Sequence, residues 1–314
     1  MSSLPGAFVS GFVSILGCPN VGKSTLLNAL VGSKVAIVAD KPQTTRQLLQ
    51  GVVNRPGAQI VFLDTPGIHR PASRLNRQMM DQVEESLQAR DLLLLMVDAT
   101  KAFGAGDEFA LALVRKSRTP AFLVPNKVDL LATQKERLLP LLERYQKLHP
   151  FEELVPISAR SGENVEHLLA TILRHLPEGP QYFPPGHLTD QPARFLAAEI
   201  IREKVILLTR QELPYATAVV VDRFEKTSGL LKLHALIFVE REGQKSIIIG
   251  AHAEMLKKIG TLAREEIEKI FGQRVYLELF VKVRAHWRES ASFLRALDWR
   301  RMVGGEDQFP GDET

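Results

Sequence analysis

Short apolar runs that do not alternate, each followed by a stretch with apolar residues at three- and four-residue spacing, dominate the first 180 positions. The runs at 12–16, 60–63, 92–97, 121–125 and 154–157 predict strands buried on both faces. Residues 24–31, 107–118 and 165–176 predict helices between them. That rhythm implies an α/β fold, a mostly parallel sheet with helices on both faces. Pro177, Gly179, Pro180, Pro184, Pro185 and Gly186 then interrupt it. Beyond them the pattern predicts a helix at 193–209, strands at 216–223 and 232–239, two helices separated near Gly250 and a strand at 275–283, which is a smaller α+β domain. The expected organisation is a domain at 8–180, a linker at 181–190, a second domain at 191–301 and an acidic tail at 302–314, too poor in apolar residues to fold.

At 314 residues, 45% hydrophobic and 24% charged, the chain can bury two cores. Its one cysteine, Cys18, leaves no intrachain disulfide, which fits a reducing compartment. The longest clean apolar run is far shorter than the roughly 20 residues of a bilayer span. No basic residue precedes Lys23 to open an export signal, so a cytoplasmic place is expected. The net charge of +4 is unevenly spread: residues 1–180 carry 20 bases and 17 acids, 181–301 carry 20 and 15, and 302–314 carry four acids alone. The excess in the second domain suggests a polyanionic partner.

Gly17-Cys18-Pro19-Asn20-Val21-Gly22-Lys23-Ser24 fits a Gly-x4-Gly-Lys-Ser phosphate loop, and it lies between a predicted strand and a predicted helix. Backbone N–H groups from Gly17, Asn20, Val21, Gly22 and Thr25 can cradle phosphates at the helix N-terminus. Lys23 would reach the β- and γ-phosphates and Ser24 would ligate Mg²⁺. Asp64-Thr65-Pro66-Gly67 closes another predicted strand, which places Asp64 on the metal side and offers the Gly67 N–H to the γ-phosphate. In Asn126-Lys127-Val128-Asp129 the Asp129 carboxylate can accept from the N1–H and 2-amino group of guanine, whereas adenine offers neither donor. Losing such contacts discriminates by about 10⁴–10⁵. Ser158-Ala159-Arg160 would buttress the base with backbone N–H groups.

In this order, each after a strand, the motifs resemble the Ras-like GTPase superfamily. The run Pro19-Asn20-Val21-Gly22-Lys23-Ser24-Thr25, then Pro42-Gln43-Thr44-Thr45-Arg46, then Asp64-Thr65-Pro66-Gly67, then Val239-Glu240-Arg241-Glu242-Gly243-Gln244-Lys245, is similar to the bacterial Era family within it, over roughly residues 8–300. The resemblance implies GTP and GDP as ligands, hydrolysis of GTP to GDP and phosphate, and Thr44 or Thr45 closing on Mg²⁺; spacing leaves both threonines open. Ile68 stands where many GTPases carry the glutamine that orients water, so unassisted turnover near ~10⁻⁴ s⁻¹ is expected. The resemblance also implies K⁺, held by Asn20 against the phosphates and supplying the positive charge of an arginine finger. The expected catalytic set is Asn20, Lys23, Thr45 and Gly67, with His69 a bystander.

In the second domain, Ile247-Ile248-Ile249-Gly250-Ala251-His252-Ala253 looks like the Gly-x-x-Gly turn of a type II KH domain, with Lys245, Lys257 and Lys258 beside it. In such domains the turn clamps about four nucleotides of single-stranded RNA. The second glycine is here Ala253, whose methyl would hinder the closest phosphate approach. Trp287 and Trp299, among basic residues at 281–301, would anchor a terminal helix or stack on RNA. By resemblance the partners are the 3′ region of 16S ribosomal RNA and the 30S subunit during its maturation. The protein is expected as a monomer with peripheral contact to the inner membrane face. One alternative is a GTPase whose altered KH domain binds a protein; another is an ATP-driven enzyme using the same loop.

Overall fold

β1 (Val9–Leu16), β2 (Leu49–Arg55), β3 (Ala58–Asp64), β4 (Leu92–Asp98), β5 (Ala121–Asn126) and β6 (Glu153–Leu154) form one sheet in the order β2-β3-β1-β4-β5-β6. Neighbours run parallel except β2, which is antiparallel to β3. β3 and β4 are buried along their whole length, which is why they read as unbroken apolar runs. The computed structural model describes residues 8–302 except 42, 69–72, 89, 132–134 and 210–212. His69 and the tail at 303–314 therefore lie outside the described residues.

Helices α1 (Lys23–Val31), α2 (Arg74–Ser86), α3 (Ala105–Ser117), α4 (Leu138–Leu148) and α5 (Val165–His175) connect the strands. α3 starts where the Asp107 carboxylate accepts from the Gly104 N–H at 2.9 Å. Its acids lie in the first turn and Arg115 and Lys116 in the last, as the helix dipole favours. Leu93, Leu95 and Val97 pack with Val83, Leu111, Val114 and Tyr145, and each fully buried aliphatic side chain contributes about 1.5–3 kcal/mol. Strand order reverses at β1, whose neighbours β3 and β4 both follow it in the chain. The loops leaving the carboxyl ends of these strands converge on one edge, where open α/β sheets bind ligands.

Contacts divide the chain into two units, Met1–Ala36 with Thr45–Pro71 and Gln78–Asp190, and Ile37–Thr44 with Ala72–Arg77 and Gln191–Thr314. The proline-rich stretch at 181–190 is bonded to the first unit. The Leu188 carbonyl accepts from the Val52 N–H at 2.8 Å, the Thr189 hydroxyl donates to the Gln50 carbonyl at 2.7 Å, and the Gln59 side chain both donates to and accepts from the Phe183 backbone. The bonds to Val52 and Gln50 occupy backbone polar groups of the edge strand β2 that would otherwise be free to pair with another chain.

The second unit contains α6 (Ala193–Leu208), α7 (Leu213–Ala216), β7 (Ala218–Thr227), β8 (Leu230–Val239), α8 (Glu242–Ile249), α9 (Glu254–Phe271), β9 (Arg274–Val283), α10 (Ala291–Ala296) and α11 (Trp299–Met302). Its sheet is β7-β8-β9, with β7 antiparallel and β9 parallel to β8. Leu231, Leu233, Ala235, Ile237 and Val239 alternate into a core closed by Ile200, Ile201 and Val205 of α6 and by Ile259, Ala263 and Ile267 of α9. Trp287 is fully buried and donates from Nε1 to the Ala216 carbonyl at 2.9 Å. Trp299 packs against Phe195 at 6.2 Å between ring centroids. Both tryptophans thus anchor the C-terminal segment and offer no stacking face. Among the described residues no helix is long and apolar enough to cross a membrane.

Candidate functional site

The turn after β1 carries Gly17 to Gly22 into α1, and its two glycine positions leave no room for a side chain. Gly22 has φ 103°, and a Cβ there would lie 2.2 Å from the Asn126 amide nitrogen. Lys23 is buried, and its ammonium donates to the carbonyls of Gly17 and Cys18 at 3.1 Å each. Burial lowers its pKa while Asp64 opposes that shift. Asn20, at φ 63°, stands half-buried in the same loop, as does Thr25 at the start of α1. Cys18 is packed close to Gly106, and burial followed by the charge of Asp107 raises its pKa, keeping it a thiol.

Ser24, Thr45 and Asp64 meet at one point. The Ser24 hydroxyl donates to the Asp64 carboxylate at 2.6 Å and lies 2.7 Å from the Thr45 hydroxyl, which is 3.4 Å from the same carboxylate oxygen. Thr44 turns away, donating to the Lys41 carbonyl at 2.7 Å. Asp64 is wholly buried, and among the described residues its Oδ1 has no hydrogen-bond partner. Burial pushes its carboxyl up to about 6, against the opposing pull of Lys23 and the two hydroxyls. A buried carboxylate with an unused oxygen between two hydroxyls is a hard-oxygen donor set that fits Mg²⁺. Bound there, the ion would neutralise charge developing on the phosphate oxygens.

Gly67 lies against the phosphate loop, since a Cβ there would come within 2.8 Å of the Pro19 ring. Next to it the Ile68 N–H donates to the Gly17 carbonyl at 3.1 Å while its side chain, 1% exposed, joins the core. That side chain cannot orient attacking water. The base end is tied together by Asn126, which donates to the Val21 carbonyl at 2.7 Å and accepts from the Ala159 N–H at 2.9 Å. Asn126 therefore fastens the phosphate loop to the Ser158-Ala159 loop. Asp129 is half-buried in a single 3₁₀ turn, Val128–Leu131. Ser158 and Ala159 are buried, whereas Arg160 is exposed. Lys127, at φ 70°, donates to Asp98 at 2.7 Å, which holds the Asp98 carboxyl below its usual range against its burial. The sequence pattern carried no signal for Asp98, because its partner lies 29 positions away.

In the second unit Gly250 has φ 74°, His252 φ 48° and Ala253 φ 59°, so two residues with side chains hold left-handed backbone in the turn between α8 and α9. Gln244 fixes the start of α8 by accepting from the N–H groups of Glu240 and Arg241 at 2.9 and 3.2 Å. A groove of about 390 Å³ runs beside the turn, between α9 and β9, lined by Ala253, Leu256, Lys257, Gly260, Thr261, Arg264, Leu277 and Leu279. Of this lining, Ala253 and Lys257 are residues that the sequence places at or beside the turn; Gly260, Thr261 and Arg264 follow Lys257 at the helical spacing that puts them on one face of α9. Ala251, His252 and Lys258 are exposed and Lys245 half-buried, outside the groove lining.

Residues 12–127 match the family model described as 50S ribosome-binding GTPase, and residues 212–288 match a KH domain. GTPase Era of Geobacter metallireducens is 51% identical over 294 residues, covering 93% of this chain and 98% of that protein. GTPase Era of Syntrophus aciditrophicus is 51% identical over 290 residues, covering 92% and 94%. The chain belongs to the Era family of GTPases. Among solved Era structures, one in complex with MgGDPNP and nucleotides 1506-1542 of 16S ribosomal RNA superposes with a TM-score of 0.90 at 43% identity, covering 93% of this chain and 99% of that one. A single-residue variant of Aquifex aeolicus Era bound to GDP.AlF4- superposes at 0.89 and 43%, with the same coverage. The present chain is thus a two-domain Era-family GTPase, with a P-loop domain on the six-stranded sheet and a KH domain on the three-stranded one.

Proposed function

We propose that the nucleotide held between Gly17 and Ala159 sets how residues 191–301 grip single-stranded RNA, and that the RNA is the 3′ region of 16S ribosomal RNA on the 30S subunit during its maturation. The observation that carries this is the groove between α9 and β9 beside the Gly250 turn, in a chain whose solved relative holds that RNA. In the nucleotide site Lys23 takes the β- and γ-phosphates, Ser24 and Thr45 ligate Mg²⁺ with Asp64 behind them, the Gly67 N–H meets the γ-phosphate and Asp129 reads guanine. Thr45 is preferred to Thr44 because its hydroxyl lies beside the Ser24 hydroxyl and the Asp64 carboxylate, whereas that of Thr44 bonds the Lys41 carbonyl. Asn20 holds K⁺; turnover in KCl is expected to exceed that in NaCl at matched ionic strength, and equal rates would remove the ion. The protein acts as a cytoplasmic monomer, with its modest basic excess allowing peripheral contact at the inner membrane face.

The deciding experiment titrates a fluorescent copy of the 16S 3′ end with protein loaded with Mg²⁺ and a GTP analogue or GDP, at several salt concentrations. Several phosphate contacts give a steep negative slope of log affinity against log salt. A flat slope, or no binding in either state, would favour the reading in which the altered turn, with Ala253 in place of glycine, serves a protein partner.

A further inference from the structure

β9 is an edge strand with two different faces. Leu277 and Leu279 point inward and line the groove. Tyr276 and Phe280 point outward and remain 52% and 49% exposed. Four residues apart on one strand, they stand about 13 Å from each other on the same face. An outward sheet face is expected to be polar, and two half-exposed rings depart from that.

The surroundings of these rings are built. Exposed Lys232 of β8 lies directly across from Tyr276 in the register. His234 packs its ring on Phe280 at 4.7 Å between centroids and is held from behind by Asp222 at 2.5 Å. The Tyr276 hydroxyl donates to Glu278 at 3.0 Å, which fixes that ring. Glu225 shares the face, so the charge is mixed. Further along, Phe293 of α10 covers Phe238 at 5.0 Å, which closes that end of the sheet and leaves the part with the two rings open.

We propose that this outer face, with Tyr276 and Phe280 as stacking rings beside Lys232, is a second site for single-stranded RNA, taking bases of the same strand beyond those in the groove. The proposal rests on the RNA-binding reading above. Its occupant follows from continuity: the strand that lines the groove with one face carries the rings on the other. The groove of such a domain holds about four nucleotides, so a longer strand has to leave it, and β9 is the element that borders both the groove and the outer face. Glu278 stands between the two rings and Lys232 beside them, so the hold on bases is by stacking, which takes successive bases with little regard to sequence.

The test uses the full chain loaded with Mg²⁺ and a GTP analogue, and two RNA probes from the 16S 3′ end, of about four and about twelve nucleotides. The wild type is expected to bind the longer probe more tightly. In the variant Tyr276→Ala/Phe280→Ala that gain is expected to fall about 10-fold or more per ring, with the short probe unaffected, and Tyr276→Phe/Phe280→Trp is expected to keep it. Equal weakening for both probes would assign the rings to the fold or the groove, and unchanged binding of the longer probe would remove the second site. Self-association that disappears in the alanine variant, with RNA affinity intact, would assign the face to a second copy. A wild type that binds both probes equally sinks this proposal alone; one that binds neither sinks the RNA reading with it.

Discussion

At the scale of single residues, Asp64 shows why a site built for a cation costs stability without one. Its carboxyl, pushed up from 3.8 to about 6, binds its proton more tightly in the folded chain than in the unfolded one. Stability from this group is therefore full below about pH 4 and is lost as pH rises through 6. Asp64→Asn is expected to stabilise the nucleotide-free protein by about 3 kcal/mol at pH 8, with little gain at pH 4, and to abolish Mg²⁺-dependent tightening of GDP. Urea titrations at the two pH values check the first part, and a destabilised variant at pH 8 would show that the carboxylate is not strained. At the base end, Asp129→Asn exchanges the acceptor for a group that can face a second carbonyl, so nucleotide preference is expected to move from guanine to xanthine. Competition of XDP against GDP for a fluorescent nucleotide reads this directly. The motif residues were legible because each chemistry restricts the residue type. The clip made by Asn126 and the hold of Asp98 on Lys127 were not, because both depend on contacts between distant loops.

Among elements, the turn between α8 and α9 is the one where the local sequence and the required backbone disagree most. Ala253 sits at φ 59°, a conformation that glycine adopts freely and that costs a residue with a Cβ about 1–2 kcal/mol. Ala253→Gly is expected to raise the unfolding free energy by about 1 kcal/mol or less, since the added freedom of the unfolded chain offsets part of the relief. It is also expected to tighten RNA, as removing the methyl opens the approach to phosphate. A variant that gains stability but no RNA affinity would place the strain in the fold alone. Legibility among the elements follows burial. β3 and β4, covered on both faces, announced themselves as apolar runs. β2 did not, because an antiparallel edge strand of Leu-Gln-Gly-Val-Val-Asn-Arg alternates irregularly and carries a glycine. α2 was hidden too, its polar residues outnumbering those that face the core. The expected strand at 154–157 shortens to a two-residue β6, with the Val155 and Ile157 N–H groups still donating to β5.

For the whole molecule, the open matter is whether two units with separate cores behave as one switch. Residues Ile37–Thr44 group with the second unit, while the next residue, Thr45, is bonded to Ser24 and Asp64 in the nucleotide site. The peptide bond between Thr44 and Thr45 thus joins a segment of one unit to a ligand site of the other. If that join transmits the nucleotide state, the coupling between GTP analogue and RNA has to be reciprocal, because both are binding free energies around one cycle. The expected size is about 5–150-fold. RNA should then change the affinity for the GTP analogue, relative to GDP, by the same factor by which the analogue changes the affinity for RNA. Two independent titrations give the two factors, one following labelled nucleotide with and without RNA, the other following labelled RNA in each nucleotide state. Factors that agree and exceed one establish the switch. Two factors of one, with both ligands still binding, would mean that the chain carries a GTPase and an RNA-binding domain that act side by side.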